Sequence, residues 1–317
     1  MTLNQNEFVS NLVNLVVETR VNATTNGKRI NDLIDFCLTD TIEYGEGKLL
    51  ISVDTLKVSE YSQTSSLLTN ELPIVDEQVI ETTDRKFIHL TLNRYLMKGA
   101  FANEYSLSEA LAVIESMLEK TKNIYMYRKI VEAFENWTSP VETQTVTIDI
   151  VNTSTLSGSA KLEQDKANAI KIYENVRKYA LNMQTPSRKY NELGYEEMYN
   201  ANDLGFIVNE KYDTYMNTYA YASLLNSDKL NNIQLYDKSI ILPTDQINEG
   251  NINTIGWLCS KYKYQIAPRF MVSGSFEDIS NLNIQDFLHF WLNSGFAKGL
   301  AMVKFVARLV DPAVVGA

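Results

Sequence analysis

The sequence predicts an α+β fold, and three observations carry that prediction. Residues 106–137 hold neither Gly nor Pro and read as one long helix. Several separate segments alternate apolar and polar residues with period two, as half-buried strands do. No internal repeat of fixed period and no low-complexity tract interrupts them.

The long helix takes its expected limits from its ends. Ser106 and Glu109 form an S-x-x-E capping box, in which each side chain satisfies a free N–H of the first turn. Thr138, Ser139 and Pro140 stop the run, because a proline disfavours helical geometry in the residue before it. About 32 residues at 1.5 Å each make a rod roughly 48 Å long. Leu107, Leu111, Ile114 and Leu118 share one face; past Thr121 and Lys122 the stripe resumes out of phase with Ile124, Tyr127, Val131 and Phe134. A drifting stripe does not make a coiled coil. It suits one rod lying across a sheet, with two helices broken near Lys122-Asn123 as the alternative.

The remaining elements follow in order. Residues 5–20 read as an amphipathic helix with Phe8, Leu12, Leu15 and Val16 on one side, and a second helix runs from the NATTNG break to about Leu38. From Lys48 the period becomes two, with Leu49, Ile51 and Val53 on one face of a strand expected to be half buried. After the polar interval 59–70, Gln78–Thr82 is expected to turn at Thr83-Asp84 into Arg85–Leu92, a hairpin whose Ile88, Leu90 and Leu92 face one way. Isolated two-stranded projections are marginal in water, so this one needs a surface to lie on. The strand TVTIDIV at 145–151, a loop and lobe boundary at 153–160, and a helix at 163–183 with Ala169, Ile172, Tyr173, Val176 and Ala180 on one face come next. Tyrosines crowd the segment 190–236, as they do in hydrogen-bonded contacts between surfaces or in an irregular lobe. The short strand Ser239–Leu242, a helix carrying Phe287, Phe290 and Trp291, and a strand from Ala301 to Leu309 close the chain.

At 317 residues, 45% hydrophobic and 21% charged, the chain has room for a full core and two lobes. Its apolar runs are too short to span a bilayer, and MTLNQNEF is not a signal peptide, so a soluble chain kept inside a cell is expected. Net charge is −10, and no Lys/Arg cluster suits tight nucleic-acid binding. Cys37 and Cys259 read as buried thiols rather than a disulfide.

Catalytic equipment is thin. His89 and His289 have no partner at metal-ligand spacing, no phosphate-binding or nucleophile-elbow motif occurs, and the adjacent Glu196 and Glu197 read as a solvated face. No catalytic, cofactor-binding or metal residue is expected, and no enzyme.

Taken in order, these parts resemble the major capsid proteins of tailed bacteriophages with the Hong Kong 97 fold, in the short form found in podoviruses. The resemblance covers residues 43–311. It rests on an extended hairpin at 72–104 followed directly by the spine helix, on TVTIDIV, on a helical lobe with SIILP, and on AMVKFVARLV. It implies an N-terminal helical arm (1–42), a peripheral-domain strand (43–56), an E-loop (57–104), a peripheral domain with the spine helix (105–160), an axial domain (161–265) and a return to the peripheral domain (266–317). It further implies self-assembly into hexamers and pentamers of an icosahedral or prolate shell. That shell, part of the virion and built in the host bacterial cytoplasm, would enclose double-stranded DNA without sequence-specific binding. Scaffolding, portal and decoration proteins are the implied partners, with no membrane. Ile88, Leu90 and Leu92 are the expected inter-subunit contact. An encapsulin-type compartment is the alternative on the same fold; a hydrolase or carbohydrate-binding protein with a Tyr-lined groove is the alternative of another class.

Overall fold

A computed structural model describes residues 28–40, 47–58, 72–93, 104–221, 235–244, 247, 251, 253–278 and 283–311. The helix expected at 5–20 lies outside the described residues, as does the polar interval 59–70. The chain divides into two compact units. One comprises Met1–Leu49, Val79–Ile130 and Tyr264–Gly295; the other comprises Leu50–Gln78, Val131–Lys263 and Phe296–Ala317.

The first unit is built on a three-stranded sheet of order β3-β9-β8, with β3 at Thr82–Asn93, β8 at Tyr264–Asp278 and β9 at Asn283–Phe296. Strands β3 and β9 are antiparallel, with Ile88 opposite Leu288 and Leu90 opposite Asp286. Leu288, Phe290 and Leu292 are buried on one face, where the edge of Tyr125 meets Phe290 at 5.6 Å. Tyr125 belongs to the long helix α2, Glu104–Asn136. The short helix α1, Lys28–Cys37, buries Leu33, Ile34, Phe36 and Cys37 and leads into a bridge between Leu38 and Ile266.

The second unit holds a five-stranded sheet of order β4-β10-β7-β5-β6: Thr145–Val151, Met302–Val310, Thr254–Ser260, Leu204–Asn209 and Lys238–Leu242. The β10–β4 and β5–β6 pairs are parallel; β10–β7 and β5–β7 are antiparallel. Strands β5 and β7 are buried at every position, because both of their faces are covered. Helix α3, Gly158–Met183, lays Ile172, Val176, Ala180 and Met183 into the same core as Phe206, Leu258, Val303 and Phe305. Phe134 packs at 5.9 Å from Trp257 and 5.7 Å from Phe296. Gly256 is obligatory at the β5–β7 pair, since a Cβ there would lie 2.4 Å from the Ile207 carbonyl oxygen.

Strands β1, Lys48–Val53, and β2, Val75–Ile80, pair as a separate two-stranded ribbon.

Several expectations hold: α2 is continuous through Lys122-Asn123, and α1, β4, the 163–183 helix, β6 and β10 lie where the sequence puts them. Others are corrected. Helix α2 begins at Glu104, so Ser106 sits inside its first turn rather than at the cap; the side chains of Leu107, Glu109, Leu111 and Ile114 are outside the described set. The hairpin of Gln78–Thr82 with Arg85–Leu92 does not form: β2 pairs with β1, and β3 pairs with β9 some two hundred positions away. Phe287, Phe290 and Trp291 lie on a strand, not a helix. Helix α3 starts at Gly158, inside the expected loop.

Candidate interaction surface

The polar chemistry of the described residues is spent on internal ties. Neither cysteine forms a disulfide, both are buried, and burial pushes the Cys259 thiol up to about 12. Among the described residues no group of three or more His, Cys, Asp or Glu could hold a metal ion. His89 stacks on Phe287 at 4.5 Å, and Phe87 lies 5.6 Å from His289. All four rings share the face of the three-stranded sheet opposite Leu288 and Phe290.

Tyr190, Tyr195 and Tyr212 are buried. The Tyr199 hydroxyl accepts from the Ala301 N–H at 3.0 Å, and the Tyr215 hydroxyl donates to Asp165. Burial pushes the pKa of both Tyr199 and Tyr215 up, so each phenol keeps its proton.

Glu196 and Glu197 part company. Glu196 takes the Thr55 hydroxyl at 3.2 Å and the Arg188 guanidinium at 3.5 Å. Glu197 is pushed above the usual carboxylate range by burial first and by Asp54 second. Their partners belong to a network at the foot of the β1–β2 ribbon. The Asp54 carboxylate accepts from Thr55 N at 2.8 Å, Glu196 N at 3.0 Å and Arg188 at 2.8 Å. Hydrogen bonding from the Glu196 N–H, then from Arg188, holds Asp54 below the usual range.

Among the described residues, the ribbon presents an exposed apolar face. Its inward side carries Lys48, Leu50 and Ser52 from β1 and Gln78 and Ile80 from β2, all buried or half buried. Its outward side carries Leu49, Ile51 and Val53, with Val75 and Val79 from β2; Ile51 is 59% exposed and Val79 56%. Leu56, Leu72 and Ile74 extend the exposed set beyond the strands. The strand at Leu49, Ile51 and Val53 therefore has the expected alternation but the opposite sidedness, with its apolar face toward solvent. An exposed apolar face of this kind is a candidate interaction site.

The residues singled out from sequence sit elsewhere. Ile88 and Leu90 are half buried on the same face of the three-stranded sheet as Leu288. For Leu92 the backbone pairs with Ile284, and its side chain is outside the described set. The exposed large residue on β3 is instead Phe87, on the other face. Sequence reasoning missed the ribbon because its alternation looked like a core strand; the signal available was the weak apolar content around it.

A family model for the Phi29-like phage major capsid protein matches residues 1–297. Among solved structures, the chain is similar to the capsid structure of Staphylococcus phage Andhra, with a TM-score of 0.60 and 11% identity over 84% of this chain and 83% of that one. It is similar to a chain in the structure of the head fiber and inner core protein gp22 of native bacteriophage P68, at TM-score 0.59 and 12% identity over 88% and 84%. It is also similar to the capsid structure of the cyanophage P-SCSP1u, at TM-score 0.56 and 10% identity over 87% of each chain. No curated protein matches. At these identities the structural likeness concerns the fold: mixed helix and strand, as in phage capsids.

Proposed function

The chain belongs to the Phi29-like phage major capsid proteins, which form the shell of the virion, and on that premise we propose how its copies join. They assemble as hexamers and pentamers into an icosahedral or prolate shell around double-stranded DNA, in the cytoplasm of the bacterial host. A scaffolding protein and a portal are the partners of that assembly. The arrangement is that of the Hong Kong 97 fold. The unit with the three-stranded sheet serves as the peripheral domain, α2 as the spine, the five-stranded unit as the axial domain, and the β1–β2 ribbon with its 54–74 connection as the extended arm. The role is structural rather than enzymatic.

One observation carries this reading: Leu49, Ile51, Val53, Val75 and Val79 stand exposed on one side of an ordered ribbon. A two-stranded ribbon with its apolar face in water is marginal, and a neighbouring copy supplies the missing burial, repeated around a closed ring. Ile88 and Leu90 are only half buried within one chain, so the neighbour contact expected of them and of Leu92 stays part of the proposal. The net charge of −10 suits a wall that holds DNA without gripping it.

Replacing Ile51 and Val79 together by Asp tests the ribbon. The subunit should keep its circular dichroism and form no shells, because burying unpaired carboxylates costs several kcal/mol at every contact. Normal particles in electron micrographs, or loss of secondary structure, would each refute the contact. Nucleic acid inside purified particles, against protein cargo, tests the contents.

A further inference from the structure

Both strands of the ribbon are gripped, at the end where the 54–74 connection leaves it, by one braced loop, residues 187–197. The loop is stiffened from within. Ser187 and Glu197 exchange two backbone hydrogen bonds, at 3.0 and 3.2 Å. The buried Asn191 amide donates to the Tyr195 carbonyl at 2.6 Å and accepts from the Tyr195 N–H at 3.0 Å. Gly194, at φ +71°, supplies the left-handed residue between them.

From this block, contacts reach each strand. Arg188 and the Glu196 N–H hold Asp54, just past the end of β1, while the Asp54 N–H closes that end of the ribbon by bonding the Ile74 carbonyl at 3.0 Å. The Tyr195 hydroxyl donates to Asp76 on β2. A second support lies beneath. Gln78 donates to the Phe296 carbonyl at 2.7 Å and accepts from the Lys298 N–H at 2.9 Å. A Cβ on Gly299 would lie 2.2 Å from Ser52 Oγ, so the ribbon rests directly on that turn. A surface salt bridge alone contributes little. Here the carboxylate is buried, several bonds are charge-assisted, and all act on the same few residues.

We propose that Arg188, Tyr195 and Asp54 are positioning residues for shell assembly: they fix the orientation in which the ribbon's apolar face is presented, and so the curvature at which neighbouring copies meet. The inference rests on the reading of the ribbon as a subunit contact. A small angular error at each copy accumulates around a shell, so the clasp governs the form of the particle rather than the folding of the chain.

The test uses the full chain carrying Arg188→Gln with Tyr195→Phe, and Tyr195→Phe alone, which keeps the ring and removes only the hydroxyl. Hydrogen exchange of the β1 and β2 amides in unassembled subunits should quicken by about tenfold, the loss of roughly one net charge-assisted bond. Circular dichroism should be unchanged, and particles should become mixed in size and shape, with tubes or open sheets among them. Arg188→Lys, which keeps one charge on Asp54, should restore part of the uniformity. Uniform shells of wild-type size from the double variant, or unchanged exchange at the ribbon, would overturn the clasp. If the double variant fails to fold, the same two readings on Tyr195→Phe decide. Should the Ile51/Val79 double Asp variant block assembly while the clasp variants build normal shells, the clasp alone falls; if the Asp variant assembles, the contact itself falls.

Discussion

The five-stranded sheet and the β1–β2 ribbon are built from similar residues and end in opposite states. Strand β7, TIGWLCS, is buried at all seven positions, with Trp257, Leu258 and Cys259 inaccessible. Strand β1, KLLISV, turns Leu49, Ile51 and Val53 to solvent. The difference lies in neighbours rather than in propensity. Strand β7 has β10 on one side, β5 on the other and side chains on both faces, whereas among the described residues β1 has one strand beside it and support on one face only. Alternation in a sequence tells which side chains share a face. It does not tell whether that face meets the same chain or another one.

The largest effect should come from the sealed region. Gly256→Val places its Cβ against backbone at Ile207 and Val208 rather than against a side chain that can move. Overpacking of this kind should destabilise the fold by about 3 kcal/mol or more, read as loss of soluble protein or a collapse of the thermal midpoint. A variant of normal stability would mean that β5 and β7 do not lie together as described.

On the ribbon the same scale of chemical insult should leave stability alone. The thermal midpoint of unassembled Ile51→Asp/Val79→Asp subunits should move little, since exposed substitutions usually fall within about 0.5 kcal/mol. A large drop would erase the contrast with β7.

An intermediate case sharpens the comparison. Asp286, on the buried face of β9, has both carboxylate oxygens without a hydrogen-bond partner. Burial pushes it up to about 6, with His89 pulling weakly the other way. A carboxyl group raised in the folded state contributes stability while it is protonated, at low pH, and loses it as pH rises through 6. Asp286→Asn should therefore raise the thermal midpoint at pH 8, by about 2–4 °C for each kcal/mol recovered, and change it little at pH 4. An equal gain at both pH values would disprove the assignment.

The smallest effect belongs to Asp149, on edge strand β4, paired with Arg308 at 2.6 Å where both side chains are largely in water. Arg308 holds it below the usual carboxylate range, so its contribution exists only above that range and disappears as pH falls through it. Screening should make even this slight, and Asp149→Asn should leave the midpoint at pH 7 unchanged within error. A clear loss would show that sheet edges matter more than the argument from burial allows.

The fold was legible where structure is local. Helix α2 announced itself by the lack of Gly and Pro, and β4 and β10 by alternation. Strand β9 was misread because both of its faces are apolar: Phe287 and Trp291 on one side, Leu288, Phe290 and Leu292 on the other. Period two then vanishes and leaves a spacing that imitates a helix. The false hairpin has another cause. Arg85–Leu92 was expected to pair with its nearest strand, yet its partner is β9, far along the sequence, and nothing local encodes so distant a register. For the interaction surface, the sequence drew attention to β3, where Ile88 and Leu90 are half buried on the face that carries Leu288, whereas the exposed apolar side chains of the ribbon lie on β1 and β2. Ile88 and Leu90 have an inner face to occupy; Leu49, Ile51 and Val53 do not.

The thiols described above have a practical corollary in labelling chemistry. Of the chain's two cysteines, both are inaccessible, and Cys259 holds its proton to about 12, so neither presents a thiolate to an alkylating reagent. A cysteine placed at exposed Met198 would then be the single addressable position on each folded subunit. Dyes, gold clusters or antigens could be attached once per copy without first deleting a native residue, and the assembled shell would display them on the lattice of its own subunits.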